Sequence, residues 1–266
     1  MTKSKATNTK DESYHKVVKR GLRKKLTTEE RFVHKQTRKN LYISAYLLIG
    51  IGAILFLSLL IQVVNNVGIV AWDHALQVWF VSIRNSTLTS IAIFFAVAFG
   101  PVVLPILIVA ITALWIIFSK HAWRPLLLAG AMTLGLIWIQ VITRLVQRPR
   151  PPVDLMLFGQ DTTFSFPSGH VSGTTDFLLV LGYLIVSRNP TKKRITIAAL
   201  IAFIGISSQV FSRVYLGYHW LSDTLASICL GLIILGIVIA VDTWRTVRIP
   251  GEKVTGKLSK VQTENT

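Results

Sequence analysis

The chain has 266 residues, 52% of them hydrophobic and only 15% charged, with 29 Lys and Arg against 12 Asp and Glu for a formal net charge of +17. That apolar bulk excludes an ordinary soluble domain, and several runs approach or exceed the roughly 18 apolar residues of a membrane-spanning helix. The single cysteine, Cys229 inside the last apolar run, excludes an intrachain disulfide and reads as a small buried apolar residue.

The expected fold is all-α, a polytopic bundle of six transmembrane helices. Residues 1–40 form a basic segment containing Lys16, Lys19, Arg20, Arg23, Lys24 and Lys25. The first apolar run starts only near Leu41, too far from Met1 for a cleaved signal peptide, and reads as a retained span. Spans are expected at 41–64, 88–118, 124–147, 169–187, 195–211 and 219–241, with 242–266 as a tail. Between the first two, Trp72, Ala75, Leu76, Trp79, Phe80 and Ile83 recur at helical spacing, with Asp73, His74, Gln77 and Arg84 elsewhere. This is the pattern of an amphipathic helix in the membrane interface, the alternative being the start of a tilted second span. Asn85-Ser86-Thr87 fits a glycosylation sequon but reads as a loop. Gly100-Pro101 and Pro105 interrupt the second span, so a kink or break belongs there.

The short links "SKHAWR" and "SRNPTKKR" are basic, as is the tail with Arg245, Arg248, Lys253, Lys257 and Lys260. The positive-inside rule makes all of these cytoplasmic, which puts both termini inside. The N-terminal charge either binds anionic lipid at the inner leaflet or is a solvated tail. Nucleic acid is not an expected partner, because topology accounts for the charge.

Three polar stretches then fall on the outer face: "RLVQRPRPP" (144–152), "FPSGH" (166–170) and "SRVYLGYHWLSD" (212–223). Ionisable groups at membrane depth mark functional sites. Pro167-Ser168-Gly169 reads as a helix start with Ser168 near the N-cap, and a helix N-terminus binds anions. Gly169 lets an anion approach the backbone, and His170 stands beside it, within reach of proton transfer. Arg148, Arg150 and Arg213 break the positive-inside rule, and guanidinium forks suit phosphate. Four-residue spacing makes His219 and Asp223 neighbours on one helix face, where the carboxylate fixes the imidazole tautomer and frees the other nitrogen. The set fits phosphoryl transfer by a histidine nucleophile, a histidine acid and an anion clamp. A zinc site on the two histidines and Asp223 is the rival; it lacks further ligands, and the arginines would repel a cation. Asp176, six residues after His170 inside the fourth span, reads as paired with a neighbouring helix, the alternative being a proton path.

Arg150-Pro151, Pro167-Ser168-Gly169-His170 and Ser212-Arg213-x5-His219-x3-Asp223 resemble the three-part signature of the type 2 phosphatidic acid phosphatase (PAP2) superfamily, over roughly residues 40 to 241. The resemblance implies that His219 attacks phosphorus to form a phosphohistidine. Asp223 orients it, and His170 protonates the leaving group and later activates water. Arg150, Ser168, Gly169 and Arg213 hold the phosphate oxygens. It also implies a metal-independent six-helix enzyme with no cofactor, acting on lipid phosphates among membrane lipids. The family lysine falls on Thr143, which carries no charge, with Arg144 beside it as a possible substitute. The expected enzyme is a lipid phosphatase of a bacterial-type plasma membrane, acting on a polyprenyl diphosphate such as undecaprenyl diphosphate. Close competitors are phosphatidylglycerophosphate, phosphatidic acid and diacylglycerol diphosphate. A lipid phosphotransferase is the alternative enzyme, and a transporter or flippase with a degenerate site the alternative class. No paired interrupted helices in corresponding halves support the latter.

Overall fold

The computed structural model describes residues 25–253 and 259–261. The basic residues at 16–24 and Lys257 lie outside the described residues. A short strand β1 (Thr28–Phe32) leads into α1 (Lys35–Val64), followed by α2 (Val70–Ser82), α3 (Ser86–Ala98), α4 (Val103–Phe118) and α5 (Trp123–Val146). A long loop then leads to α6 (Gly169–Val186), α7 (Lys192–Tyr215) and α8 (Leu221–Thr246), and two strands close the chain, β2 (Val247–Arg248) and β3 (Ser259–Val261). Among the described residues five helices are long and apolar enough to cross a membrane, and α3 with α4 makes a broken sixth span bent by 45°. The break falls at Gly100-Pro101, where the proline ring and missing N–H cannot continue the helical ladder.

Large apolar side chains such as Leu47, Ile54, Phe118 and Phe203 are exposed on the bundle's outer surface, as lipid-facing positions require. The interior is tight. On α8, Leu230, Ile234 and Val238 are buried, as are Leu128 of α5 and Val180 and Leu184 of α6. The first and last helices run side by side. A Cβ on Gly52 of α1 would sit 2.8 Å from the Cys229 carbonyl, and one on Gly236 of α8 2.6 Å from that of Ala45. Small residues let the two backbones approach, as in membrane helix pairs generally.

Beside the bundle lies a three-stranded parallel sheet in the order β2-β1-β3, within what the sequence reads only as basic segment and tail. The N-terminal strand is held there by Glu30, whose buried carboxylate meets Arg248 at 2.8 Å.

Two helix boundaries differ from expectation in ways that shape the site. α7 continues to Tyr215, so Ser212 and Arg213 belong to its last turn rather than to a loop. Ser212 Oγ donates to the Ala92 carbonyl at 2.6 Å, and the Tyr215 hydroxyl accepts from Asn85 N at 3.0 Å, which pins that turn to α3. Asn85 itself N-caps α3, accepting from Leu88 N, so the tripeptide read as a loop is a helix start. The link to α8 is then only Leu216–Trp220, turning at Gly217, which has φ +82° and packs against the Leu155 carbonyl.

The amphipathic helix α2 is oriented with its polar side inward. Asp73 and Gln77 are buried against the bundle, while Trp72 and Trp79 are exposed. In a membrane interface the exposed indoles suit lipid; inside, Asp73 finds partners in the bundle, whereas the buried Gln77 amide has none.

Candidate active site

The loop between α5 and α6 begins where α5 stops. Gln147 takes a left-handed conformation at the helix end, and Pro149, Pro151 and Pro152 prevent the helix from resuming. The loop folds back over the start of α8. Ser165 N donates to the Arg148 carbonyl at 2.8 Å and Ser165 Oγ to that of Pro149 at 3.0 Å, while Trp220 Nε1 reaches the same Pro149 carbonyl at 3.1 Å. These bonds bring segments from 148–150, 165–170 and 213–223 into one cluster.

His219 is at its centre and almost fully buried. It lies in the link before α8, not on a helix face, because Trp220 is the N-cap and α8 starts only at Leu221. Its Nδ1 is 2.8 Å from the Ser165 carbonyl oxygen and 3.5 Å from Asp223 Oδ2. The carbonyl therefore takes the Nδ1 proton at the shorter distance, with Asp223 behind it. This corrects the expected pairing, in which Asp223 alone sets the tautomer. The outcome is the same, since Nδ1–H leaves the Nε2 lone pair available.

Asp223 is held elsewhere as well. Its Oδ2 accepts from Trp220 N at 2.9 Å, the cap of α8, and its Oδ1 accepts from Arg148 Nη1 at 2.5 Å. Arg148 Nη2 meets Asp73 Oδ2 at 2.8 Å, and Asp73 also accepts from Ser222 N and Ser222 Oγ, at 2.9 and 2.6 Å. Arg148 is thus an internal brace between two buried carboxylates, not a free phosphate ligand. Nothing in the sequence places Asp73 at the site beyond its being the one acidic residue of the amphipathic helix α2.

Around Nε2 the surroundings are cationic and under-satisfied. Arg150 Nη1 donates to His219 Nε2 at 3.1 Å and to the Tyr218 carbonyl at 2.7 Å. Its other nitrogens are held by Thr163 and by Asp161 at 2.9 Å. Arg213 stacks on Tyr218, with 4.2 Å from guanidinium carbon to ring centroid, and its buried Nε has no hydrogen-bond partner. Ser168 stands at the N-cap of α6 with a buried, unpartnered Oγ, and Gly169 and His170 open the helix. A helix start with free N–H groups, two guanidinium groups and an unsatisfied hydroxyl form an anion site. Arg144 is not part of it. Its side chain is exposed and bonds the Gln140 carbonyl on its own helix, which corrects its reading as a possible substitute for the family lysine: it lies about 100° round from the position of Thr143.

Residues 124–246 match the PAP2 superfamily. Over 202 residues the chain is 27% identical to phosphatidylglycerophosphatase B of Bacillus subtilis (strain 168), covering 72% of this chain and 94% of that one. The fold is similar to the crystal structure of a transmembrane PAP2 type phosphatidylglycerolphosphate phosphatase from Bacillus subtilis, with a TM-score of 0.64 and 28% identity over 72% of this chain and 96% of that one. The match covers the segment that carries all three polar stretches, and the chain is homologous to the Bacillus phosphatidylglycerophosphatase B. These similarities support a multi-pass membrane phosphatase of lipid phosphates.

The electrostatics of the cluster follow from burial. The His219 imidazole is held well below its ordinary pKa by desolvation first and then by the Arg150 and Arg213 charges, with the Ser165 carbonyl opposing. It is therefore neutral near pH 7. Asp161 sits below the usual carboxylate range: hydrogen bonds from Thr163 and the Arg150 charge outweigh a desolvation contribution that is itself the largest and acts upward. Among the described residues no group of three His, Cys, Asp or Glu side chains is placed to hold a metal ion. His170, in the first turn of α6, lines a cavity of about 750 Å³ between α4, α5 and α6.

Proposed function

We propose that this protein removes the terminal phosphate of a membrane lipid by way of a phosphohistidine on His219. The observation that carries this reading is the Nε2 atom: a buried, neutral imidazole nitrogen ringed by Arg150, Arg213 and the start of α6. The phosphoryl group is received by these cations and by Ser168 Oγ and the Gly169 N–H. Arg150 transfers its hydrogen bond from Nε2 to a phosphate oxygen, and Nε2 attacks phosphorus as the bond to the lipid oxygen breaks. His170 supplies a proton to that departing oxygen. In the second step water attacks phosphorus, His170 takes its proton, and the bond to His219 breaks to release inorganic phosphate. Asp223, with Ser165 carbonyl, keeps Nδ1–H in place throughout. No step calls for a metal ion, and the arginines that receive the phosphate supply the positive charge that a metal would bring.

The headgroup chemistry fits two lipid classes. The Bacillus relative's name supports phosphatidylglycerophosphate, with phosphatidic acid of the same class; a polyprenyl diphosphate such as undecaprenyl diphosphate presents the same terminal phosphate. The positive-inside reading puts the site on the outer face of the plasma membrane, with both termini cytoplasmic.

Phosphate release by the purified protein from these three lipids, with and without EDTA, tests the proposal. Release that persists in EDTA is expected. Release from none of them would overturn the phosphatase reading, transfer to an alcohol in place of water would make it a phosphotransferase, and loss restored only by zinc would overturn the metal-free mechanism. With Cys229 replaced, an impermeant thiol reagent should label a cysteine at Gln160 in intact cells and spare one at Lys192. The reverse pattern overturns the orientation.

A further inference from the structure

The cavity that His170 lines runs inward along α6, beside the break between α3 and α4, past Leu104, Ile108, Leu136 and Ile139. Its walls are mostly apolar, with Thr112, Thr133, Gln140 and Ser172 as neutral polar groups, and the one carboxyl on them is that of Asp176 of α6, which is 1% exposed. The pairing expected for it from sequence is not found: among the described residues no cation meets its carboxyl. Ser172 Oγ reaches Oδ2 at 3.4 Å, and Oδ1 has no hydrogen-bond partner. The neighbouring helices make room for the carboxyl. Gly135 of α5 and Gly231 of α8 face it, and a Cβ on Gly135 would collide with Oδ2 while one on Gly231 would stand 3.2 Å from Oδ1.

An unpaired carboxyl in an apolar cavity is costly unless it carries its proton and uses it. As the neutral acid it offers one O–H donor, and the ligand that answers it is a carbonyl oxygen. Depth narrows the choice. Six residues of helix put Asp176 about 9 Å further in than His170. In a diacyl glycerophospholipid the ester carbonyls follow the phosphorus by about five or six bonds of ~1.5 Å. With the phosphate at the start of α6, an extended glycerol backbone carries them along the cavity toward Asp176, whose side chain tilts back toward the N-terminus of α6. A polyprenyl chain has nothing there but hydrocarbon.

We propose that Asp176 is a specificity-determining residue which hydrogen-bonds an ester carbonyl of a diacyl glycerolipid phosphate seated in this cavity. The proposal rests on the lipid-phosphatase reading above and names the substrate class of the same site. Asp176 touches the substrate well away from the reacting phosphorus, so it governs selection, not chemistry.

Ether lipids give the test, because replacing the acyl esters by alkyl ethers removes the carbonyls and leaves the phosphate and chains intact. Wild-type protein should show kcat/KM about three- to tenfold higher for diacyl phosphatidic acid than for its dialkyl ether analogue, the worth of one net hydrogen bond. Asp176→Leu should abolish that preference by losing activity on the diacyl lipid alone, mainly through KM, and Asp176→Asn, which keeps a donor, should preserve it. Equal rates on the two lipids with wild-type protein, or an equal loss on both in Asp176→Leu, would overturn the assignment; the wild-type comparison needs no variant to fold. Activity on undecaprenyl diphosphate but on neither phosphatidate overturns the ester subsite and leaves the phosphatase standing, whereas phosphate from no lipid removes both.

Discussion

Nη1 of Arg150 donates a hydrogen bond of 3.1 Å to Nε2 of His219, the nitrogen that attacks phosphorus in the proposed mechanism. The same guanidinium also bonds the Tyr218 carbonyl and pairs with Asp161. Arg150 therefore does two things at once. It occupies the lone pair that a phosphate must reach, and its charge keeps that lone pair free of a proton.

The second effect sets a pH dependence whose sign can be worked out. A free histidine titrates near pH 6.5, and His219 is held below that by burial and by Arg150 and Arg213. Phosphohistidine formation should stay at full rate as pH falls through 6.5 and decline only further down. In Arg150→Gln one of the depressing charges is gone, the imidazole pKa rises, and the acid limb should move to higher pH while the rate falls overall. Single-turnover formation of phosphoenzyme from a diphosphate lipid reads this. An acid limb that stays put in Arg150→Gln would contradict the account. The linked stability effect has the same direction. Above about pH 6.5 neither the folded nor the unfolded imidazole binds a proton, and below it only the unfolded one does, so this group lowers stability as pH falls from 6.5 toward its folded value.

His219→Ala should lower turnover on the order of 10⁴-fold or more, since no other group forms the covalent bond. Asp223→Asn should leave a measurable residual rate, because the Ser165 carbonyl still holds Nδ1–H at 2.8 Å. Both are read by phosphate release from folded, purified protein. Wild-type-like release by His219→Ala would sink the mechanism.

Asp73→Ala removes one of the two carboxylates that brace Arg148, and with it the acceptor for two Ser222 hydrogen bonds. Breaking a buried charge pair from one side costs about 3 kcal/mol. The expected result is a lower unfolding temperature in detergent and a roughly tenfold loss of activity, with KM for the lipid little changed because Asp73 is not near the anion site. A variant as stable and active as wild type would show that α2 is not coupled to the site through Arg148.

The role of His170 is separable by leaving group. A diphosphate attacked at its terminal phosphorus expels a phosphate monoester, already a stable anion, whereas phosphatidic acid must expel an alkoxide. General-acid help is worth about 10²–10⁴-fold where the leaving oxygen needs a proton. His170→Ala should damage phosphoenzyme formation from phosphatidic acid far more than from a diphosphate lipid, while His219→Ala removes both. Equal loss on the two substrates in a single turnover would make His170 a phosphate ligand.

Much of this was readable from spacing. Gly100-Pro101 announced the broken span, the Trp72–Ile83 stripe announced a separate amphipathic helix, and Pro167-Ser168-Gly169 announced a helix start, each through local chemistry. Arg144 stayed open in the sequence as a substitute for the family lysine, and only the structure excludes it, because its side chain turns back to Gln140. What could not be read were partners chosen across the bundle. Arg148 looks like Arg150 in sequence, two residues away, yet one is buried between Asp73 and Asp223 and the other faces Nε2. Only the reversal at Gln147 and the docking of α2, seventy-odd residues upstream, separate them. The same holds for His219, where a backbone carbonyl from Ser165 supplies what a side chain was expected to do; carbonyls leave no mark on a sequence.

The close seam between α1 and α8 has a bearing on how the protein is made. Its two halves, around Ala45 and Gly52 on one side and Cys229 and Gly236 on the other, lie at opposite ends of the chain. Helices enter the membrane in order of synthesis and pack afterwards, so the groove on α1 waits through four intervening spans for its partner. The last helix to arrive is also the one that carries Asp223 and orders His219 at its start. Closing the ring and completing the active site are therefore a single event, and an unfinished chain left in the membrane has no assembled catalytic centre.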